Sequence, residues 1–410
     1  MILYSVYFVL LSMFLLDIGS YFDSVFKVMG VGVGMRTAAI QCATLIVVGL
    51  IIVNRRADKV VWRELLVIMG VWAPILLYLA LRVDSDNSYS ELKFAKIVAI
   101  AFLGTATVTI TYLCDARTFT QLLPIVIIVL SVLLGVEALM HPQQFKYRSE
   151  IDRMTIEGMN PIWLARSFAI AGACLFLFST QSNIVKLLGI ILVIIGILPT
   201  GSRGPLISLI LTLSVWFVVQ SDRARVRLVI TTVAASVLVI LAFLFAGDRI
   251  ETAVNSYFSR GQHQGFVEES GRPQLFSMAA NDFLSAPIVG VGLGAFGKSS
   301  GHFSKTFPGK RSSKQGLYPH NIVLEILAEV GVLGMILTVI AMRPGKWLVD
   351  LRNPYFYLFL LTFLFSMSSG DITANIGVII FGTLARLTSQ YSLSEAIQID
   401  YEMPKVESIT

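Results

Sequence analysis

Residues 183–219 read NIVKLLGIILVIIGILPTGSRGPLISLILTLSVWFVV. Two apolar runs, 183–199 and 204–219, are separated only by Thr200-Gly201-Ser202-Arg203. Each run is apolar on all sides rather than along one stripe, the pattern of a helix surrounded by lipid. Within hydrocarbon the backbone has no water to bond to, so a spanning segment must satisfy its own N–H and C=O groups. The stretch therefore predicts two membrane helices joined by a tight turn. The same reading extends in both directions. Apolar segments fall near 2–17, 37–53, 61–81, 95–113, 119–139, 162–179, 227–247, 321–342, 353–368 and 372–388 as well. Together they predict an all-α integral membrane protein of about twelve transmembrane helices. The absence of period-2 alternation argues against a membrane β-barrel.

Composition agrees. The chain is 55% hydrophobic and 14% charged, with a mean hydropathy of +0.76. One soluble core does not bury that much apolar surface, whereas lipid accommodates it. The formal net charge is +6, but the basic residues sit in short loops, where they set topology rather than bind nucleic acid. Arg55, Arg56, Lys59 and Arg63 follow the second segment, Arg117 the fourth and Lys186 the sixth. Arg223, Arg225 and Arg227 follow the eighth, and Arg343, Lys346 and Arg352 the tenth. Basic clusters at every second loop place both termini in the cytoplasm. The alternate loops, 82–94, 140–161, 200–203, 248–320 and 369–371, then face outward. Cys42, Cys114 and Cys174 form neither a disulfide framework nor a metal spacing. Met1 runs directly into an apolar stretch without a basic region or cleavage site, so the first helix is expected to be retained.

Four regions follow: transmembrane helices one to nine over 1–247, a large extracytoplasmic loop over 248–320, helices ten to twelve over 321–388, and a polar cytoplasmic tail over 389–410. The large loop is basic. Within it Leu275, Phe276, Ala279 and Phe283 recur at helical spacing, which predicts an amphipathic helix lying on the bundle or the membrane face.

Three outward sites carry chemistry-bearing residues. The first is the turn Thr200-Gly201-Ser202-Arg203-Gly204-Pro205, where Arg203 stands at the mouth of the bundle against the positive-inside bias. The second is Glu269-Ser270-Gly271-Arg272-Pro273, at the start of the amphipathic segment. The third is Pro319-His320-Asn321, where the loop re-enters the membrane at a helix N-terminus that favours a neutral imidazole and nearby anions. Each has a plainer reading, as an interfacial arginine, a solvated loop arginine or a helix cap. Glu325 and Glu329 share one helix face and either orient His320 or solvate the helix end. Arg166 and Asn160-Pro161 line a polar cavity or simply begin the sixth helix. Gly292-Leu293-Gly294-Ala295-Phe296-Gly297 matches a dinucleotide fingerprint formally, but without its strand it reads as a flexible turn. Asp371 is expected to cap the last helix. No acidic or histidine spacing offers a metal site.

The order T-G-S-R-G, G-R-P-x-L-F, P-I-V-G-V-G-L-G-A-F and H-N-I-V-L-E-I-L-A-E-V-G-V-L-G, between residues 160 and 335, resembles the O-antigen ligase and O-antigen polymerase superfamily of bacterial surface-polysaccharide assembly. The resemblance implies a multi-pass enzyme of the bacterial inner membrane with its site facing the periplasm. It implies glycosyl transfer from an undecaprenyl-diphosphate-linked glycan to a sugar hydroxyl, inverting, without nucleotide, metal or other cofactor. It assigns Arg203 and Arg272 to the diphosphate and His320 to activation of the acceptor. Asn321, Arg166 and Glu325 complete the expected substrate-binding set. The resemblance leans towards a polymerase, in which a chain-length regulator is a conceivable partner. A ligase placing glycan on lipid A–core, or a protein O-glycan transferase, uses the same motifs. The alternative of another class is a flippase for lipid-linked oligosaccharide, disfavoured because no paired broken helices or internal repeats are evident.

Overall fold

The structure, a computed structural model, describes residues 1–16, 33–55, 58–84, 88–141, 143–146, 152–156, 159–178, 183–220, 272–296, 318–368, 370, 372 and 375–391. Every expected apolar segment apart from 227–247, which lies outside the described residues, coincides with a helix. In chain order these are α1 (Ile2–Leu15), α2 (Val33–Arg55), α3 (Lys59–Leu81), α4 (Ser88–Lys96), α5 (Leu103–Cys114), α6 (Ala116–Met140), α7 (Pro161–Phe178), α8 (Asn183–Ile197), α9 (Arg203–Gln220), α10 (Arg272–Ser285), α11 (Ile322–Met342), α12 (Pro354–Ser366) and α13 (Ile376–Gln390). A π-helical turn, Ile97–Phe102, joins α4 to α5. Of the expected tail 389–410, residues 389–391 are described and end α13; the rest of it, the loop segments 248–271 and 297–317, and Asp371 lie outside the described residues. Asn375 stands at the start of α13, without a side-chain capping bond.

Among the described residues, five helical spans are long and apolar enough to cross a membrane: Lys59–Leu81, Tyr89–Cys114, Ala116–Met140, Pro161–Phe178 and Ile322–Met342. Only 28% of the apolar window of α3 is buried inside the protein. Its Leu66, Leu77 and Leu81 point outward. A row of large apolar side chains facing out is costly in water and neutral in lipid. The chain is an all-α membrane protein.

Local chemistry sets the helix ends. Asp58 accepts the N–H groups of Val60 and Val61 to start α3, and Asp115 accepts that of Thr118 to start α6. Asn353 does the same for Tyr355, with Pro354 in the first turn where its missing N–H costs nothing. One departure from the helical expectation is a hairpin, β1 (Gln143–Lys146) against β2 (Asp152–Thr155), antiparallel with Gln143 opposite Thr155. Its strands read QQFK and DRMT, with no apolar alternation to announce them.

Helices α3 and α11 run antiparallel. At one end Glu64 near the start of α3 bonds to Arg343, just past α11, at 2.8 Å. Arg386 of α13 lies 3.3 Å from the same oxygen, and Tyr391 donates to Glu64 at 3.1 Å. Arg55 pairs with Asp115. These arginines come from the loops and helix ends read as cytoplasmic. At the other end, α3 finishes against residues 290–293: the Arg82 guanidinium donates to the Gly290 carbonyl at 2.6 Å, and Leu293 N–H to the Arg82 carbonyl at 2.9 Å.

α11 is broken. Gly331 has φ 67° and ψ −169° within it. A break exposes backbone groups that hydrocarbon cannot satisfy, and the segment Pro287–Gly292 satisfies them. Val291 and Gly292 donate to the carbonyls of Ala328 and Glu329, and Val332 and Leu333 donate to those of Pro287 and Ile288, all at 2.9–3.0 Å. Tyr78 adds bonds to the carbonyls of Val330, at 2.7 Å, and Val289, at 3.2 Å. Pro287–Gly292 is thus a strap across the break, with Ile288 and Val289 exposed and Gly290 and Gly292 buried; of the stretch 292–297, expected as a flexible turn, residues 292–296 are buried and Gly297 lies outside the described residues. Gly290 is required by contact: a β-carbon on it would stand 2.3 Å from the Glu329 carbonyl carbon.

Candidate functional site

The turn before α9 is built by its own side chains. Gly201 takes the left-handed conformation at φ 62°. Thr200 is fully buried, donating to the Ile197 carbonyl at 2.7 Å and accepting from Ser202 N–H at 3.2 Å. This fixes Arg203, half-buried, as the first residue of α9. The next residue, Gly204, lies against α12's end: a β-carbon on it would stand 3.0 Å from the Ser368 hydroxyl, which would have to give by a few tenths of an ångström.

The start of α11 reaches the same corner. Asn321 caps the helix, accepting from Val323 and Leu324 N–H at 3.1 Å each, and its amide donates to the Met367 carbonyl at 3.4 Å. His320 precedes the cap with φ 57°, half-buried, its ring edge-to-face with Tyr318 at 4.5 Å between centroids. The helix starts carrying Arg203 and His320 therefore abut consecutive residues, Met367 and Ser368. Arg166 of α7 is buried on the neighbouring side. It donates to the Asn375 side chain and the Phe365 carbonyl at 3.0 Å each, and stacks over Trp163 at 4.3 Å. Arg166 thus ties α7 to the ends of α12 and α13. Asn160 accepts from Ile162 N–H and begins α7.

Arg272 opens α10; its side chain lies outside the described features. The helix docks on α11 rather than lying free: Leu275 and Ala279 are buried with Ala328 and Phe296, and Leu324 and Met278 pack against them. Asp282 completes the buried face, whereas Phe276, expected on it, is exposed. All three motif residues stand at helix beginnings, where unpaired N–H groups and the helix dipole favour anions.

Two expectations about charged residues change. Glu325 and Glu329 do not solvate the helix end, being only 1% and 2% exposed. Their partner is Lys93, read from sequence as part of an outward loop but lying within α4 with a fully buried side chain. Lys93 Nζ bonds Glu325 and reaches both Glu329 oxygens at 2.7 Å. One signal was available: two carboxylates a helical turn apart on a segment entering a membrane require a cation. Beside this cluster runs a narrow, mostly apolar cavity of about 50 Å³ between α3, the π-turn, α11 and α13. Glu325, Glu329 and Lys96 line it at the end towards His320, and Ala341 and Met342 at the other.

Residues 188–339 match the family model of the O-antigen ligase, which covers less than half of the chain. The match supports the O-antigen ligase and polymerase superfamily. Its span takes in the Arg203 turn, α10, the strap and nearly all of α11, so the O-antigen ligase-like stretch contains Arg203, Arg272 and His320. Arg166, Lys93 and the 367–368 corner lie outside it. No curated protein matches the chain.

Proposed function

We propose that the protein transfers a glycan from undecaprenyl diphosphate to an acceptor sugar hydroxyl at the periplasmic face of the bacterial inner membrane, within a bundle of about twelve spans. The meeting of the Arg203 and His320–Asn321 helix starts at Met367 and Ser368 carries this reading. A diphosphate is a multivalent anion. Arginine stays charged beside it and binds its oxygens through a planar fork. As the glycosidic bond breaks, charge builds on the departing diphosphate, and Arg203 and Arg272 stabilise it from fixed positions at helix N-termini. The acceptor oxygen attacks the anomeric carbon from the opposite side and inverts it. Its proton passes to the neutral imidazole of His320, a step worth roughly 10²–10⁴ in rate. The isoprenoid chain would lie between helices, where the mostly apolar lining beside α11, from Glu325 to Met342, has the right character.

We favour a polymerase, with a second lipid-linked repeat unit as acceptor. Deleting the gene separates the two activities. Loss of chain length with one repeat still attached marks a polymerase; loss of all attached glycan with accumulation of lipid-linked polymer marks a ligase. The direct test gives the purified chain in lipid nanodiscs the lipid-linked glycan extracted from its own membranes. A new glycosidic bond without added nucleotide is expected, and its loss in His320→Ala. Lipid flipping without bond formation would sink the reading in favour of transport. Against transport stands the break at Gly331: its backbone groups are bonded to the strap rather than open to a passing substrate.

A further inference from the structure

A helix transmits rigidity along its length only while its hydrogen-bond ladder is continuous. α11 loses that continuity at Gly331, so its outer part, Ile322–Val330, is not held in line by the inner part. Its orientation has to come from lateral contacts, and this outer part ends in Asn321 and His320.

Several polar contacts hold it. The strap bonds the backbone at Ala328 and Glu329, Tyr78 bonds the Val330 carbonyl and the Asn321 amide reaches the Met367 carbonyl. The ionic contact is Lys93, whose ammonium joins Glu325 and Glu329. These two glutamates lie four residues apart and so share one face of the helix. Glu325 is one turn from the cap, its N–H bonded to the Asn321 carbonyl at 2.9 Å. Glu329 Oε2 also accepts Gly294 N–H at 2.9 Å, just past the strap. Ser90, one turn before Lys93, donates to the Leu293 carbonyl and accepts from Asp84 N–H. The short helix α4 is therefore fastened both to the end of the strap and to the outer part of α11.

We infer that Lys93 is a positioning residue for transfer, setting the direction in which the outer part of α11 presents His320. This inference rests on the role proposed above for His320. Lys93 lies in the half of the chain that the family match does not reach, and it acts through Glu325 and Glu329 rather than by touching substrate. Reacting groups need alignment within a fraction of an ångström, and a displacement of 1 Å costs on the order of 100-fold in rate.

Substituting Lys93 alone would strand two buried carboxylates and unfold the protein for that reason. The test therefore uses Lys93→Met with Glu325→Gln and Glu329→Gln. This removes the charges together and leaves an amide oxygen at position 329 able to accept from Gly294 N–H. Purified full-length protein in nanodiscs is assayed with the extracted lipid-linked glycan, per folded molecule. The expected result is an unchanged melting temperature, an unchanged KM for the lipid-linked donor and a kcat lower by about 10- to 100-fold. A purely structural ion cluster would alter the amount of folded protein and leave kcat alone, so wild-type kcat in the triple variant overturns the inference. If the triple variant does not fold, Glu325→Gln alone decides: a several-fold fall in kcat at constant KM supports it and wild-type kcat overturns it. His320→Ala keeps the two ideas apart. Activity retained in His320→Ala removes the catalytic reading and this inference with it. Activity lost there, beside wild-type kcat in the triple variant, removes the inference only.

Discussion

His320 and Arg343 are the non-glycine residues at positive φ among the described residues. Left-handed backbone costs an ordinary residue on the order of 1 kcal/mol. Its use just before a cap is what lets the Tyr318-Pro319 approach turn sharply into α11. Strain and imidazole can be separated. His320→Gly relieves the backbone while deleting the proposed base. It should melt no lower than wild type and lose transfer by roughly 10²–10⁴, as measured by thermal denaturation and by product formed from lipid-linked glycan. Retained transfer would show that the backbone turn, not the ring, matters there. Arg203 presents a different question, because an interfacial arginine and a phosphate-binding arginine look alike in sequence. Lysine substitutes for the first and not for the second. Arg203→Lys should insert normally and raise KM for the donor or lower kcat by about 10-fold or more. An unchanged kcat/KM would return Arg203 to the role of a headgroup anchor.

Among the helices, α11 hides its form in sequence. Its residues, from Ile322 to Met342, read as an uninterrupted apolar span, and nothing in V-G-V-L-G distinguishes a break from an ordinary helical glycine. The deciding partner, Pro287–Gly292, lies some forty residues upstream, and pairing over that distance leaves no periodic trace. Gly331→Ala should expose the difference. A β-carbon there would lie 2.4 Å from the Ile288 carbonyl carbon, on a backbone at φ 67°, so both overlap and conformation oppose it. A loss of about 2 kcal/mol or more is expected, read as a lowered melting temperature in detergent. The same change at Gly70, with nothing within 4 Å of its added carbon, should be neutral or slightly stabilising. Equal melting of the two variants would contradict the strap geometry.

Across the molecule the two ends of the bundle carry different charge clusters. Glu64 with Arg343 and Arg386 closes one end, and His320 stands beyond the other end of α11, on the order of 30 Å away by helical rise. Glu64→Gln leaves two arginines without their carboxylate and should cost about 1–3 kcal/mol, with kcat per folded molecule unchanged. A large fall in kcat at constant stability would mean that the ends are coupled. The helices were legible because lipid imposes long apolar runs, and the Arg203, Arg272 and His320 motifs because they stand at loop-to-helix junctions. Lys93 was not, since a lysine beside an apolar segment looks like a loop cation until partners 232 and 236 residues away come into view. Nor was the hairpin at 143–155, whose short polar strands carry no alternation. The strap has one more consequence, for the order of synthesis. Residues 287–292 leave the ribosome before residue 331, so the peptide groups that will receive the broken helix already exist when that helix is made. Until they meet, the nascent span has every reason to remain a straight rod. Bending at Gly331 therefore waits on the strap, and the direction in which His320 points is settled only once the two have met.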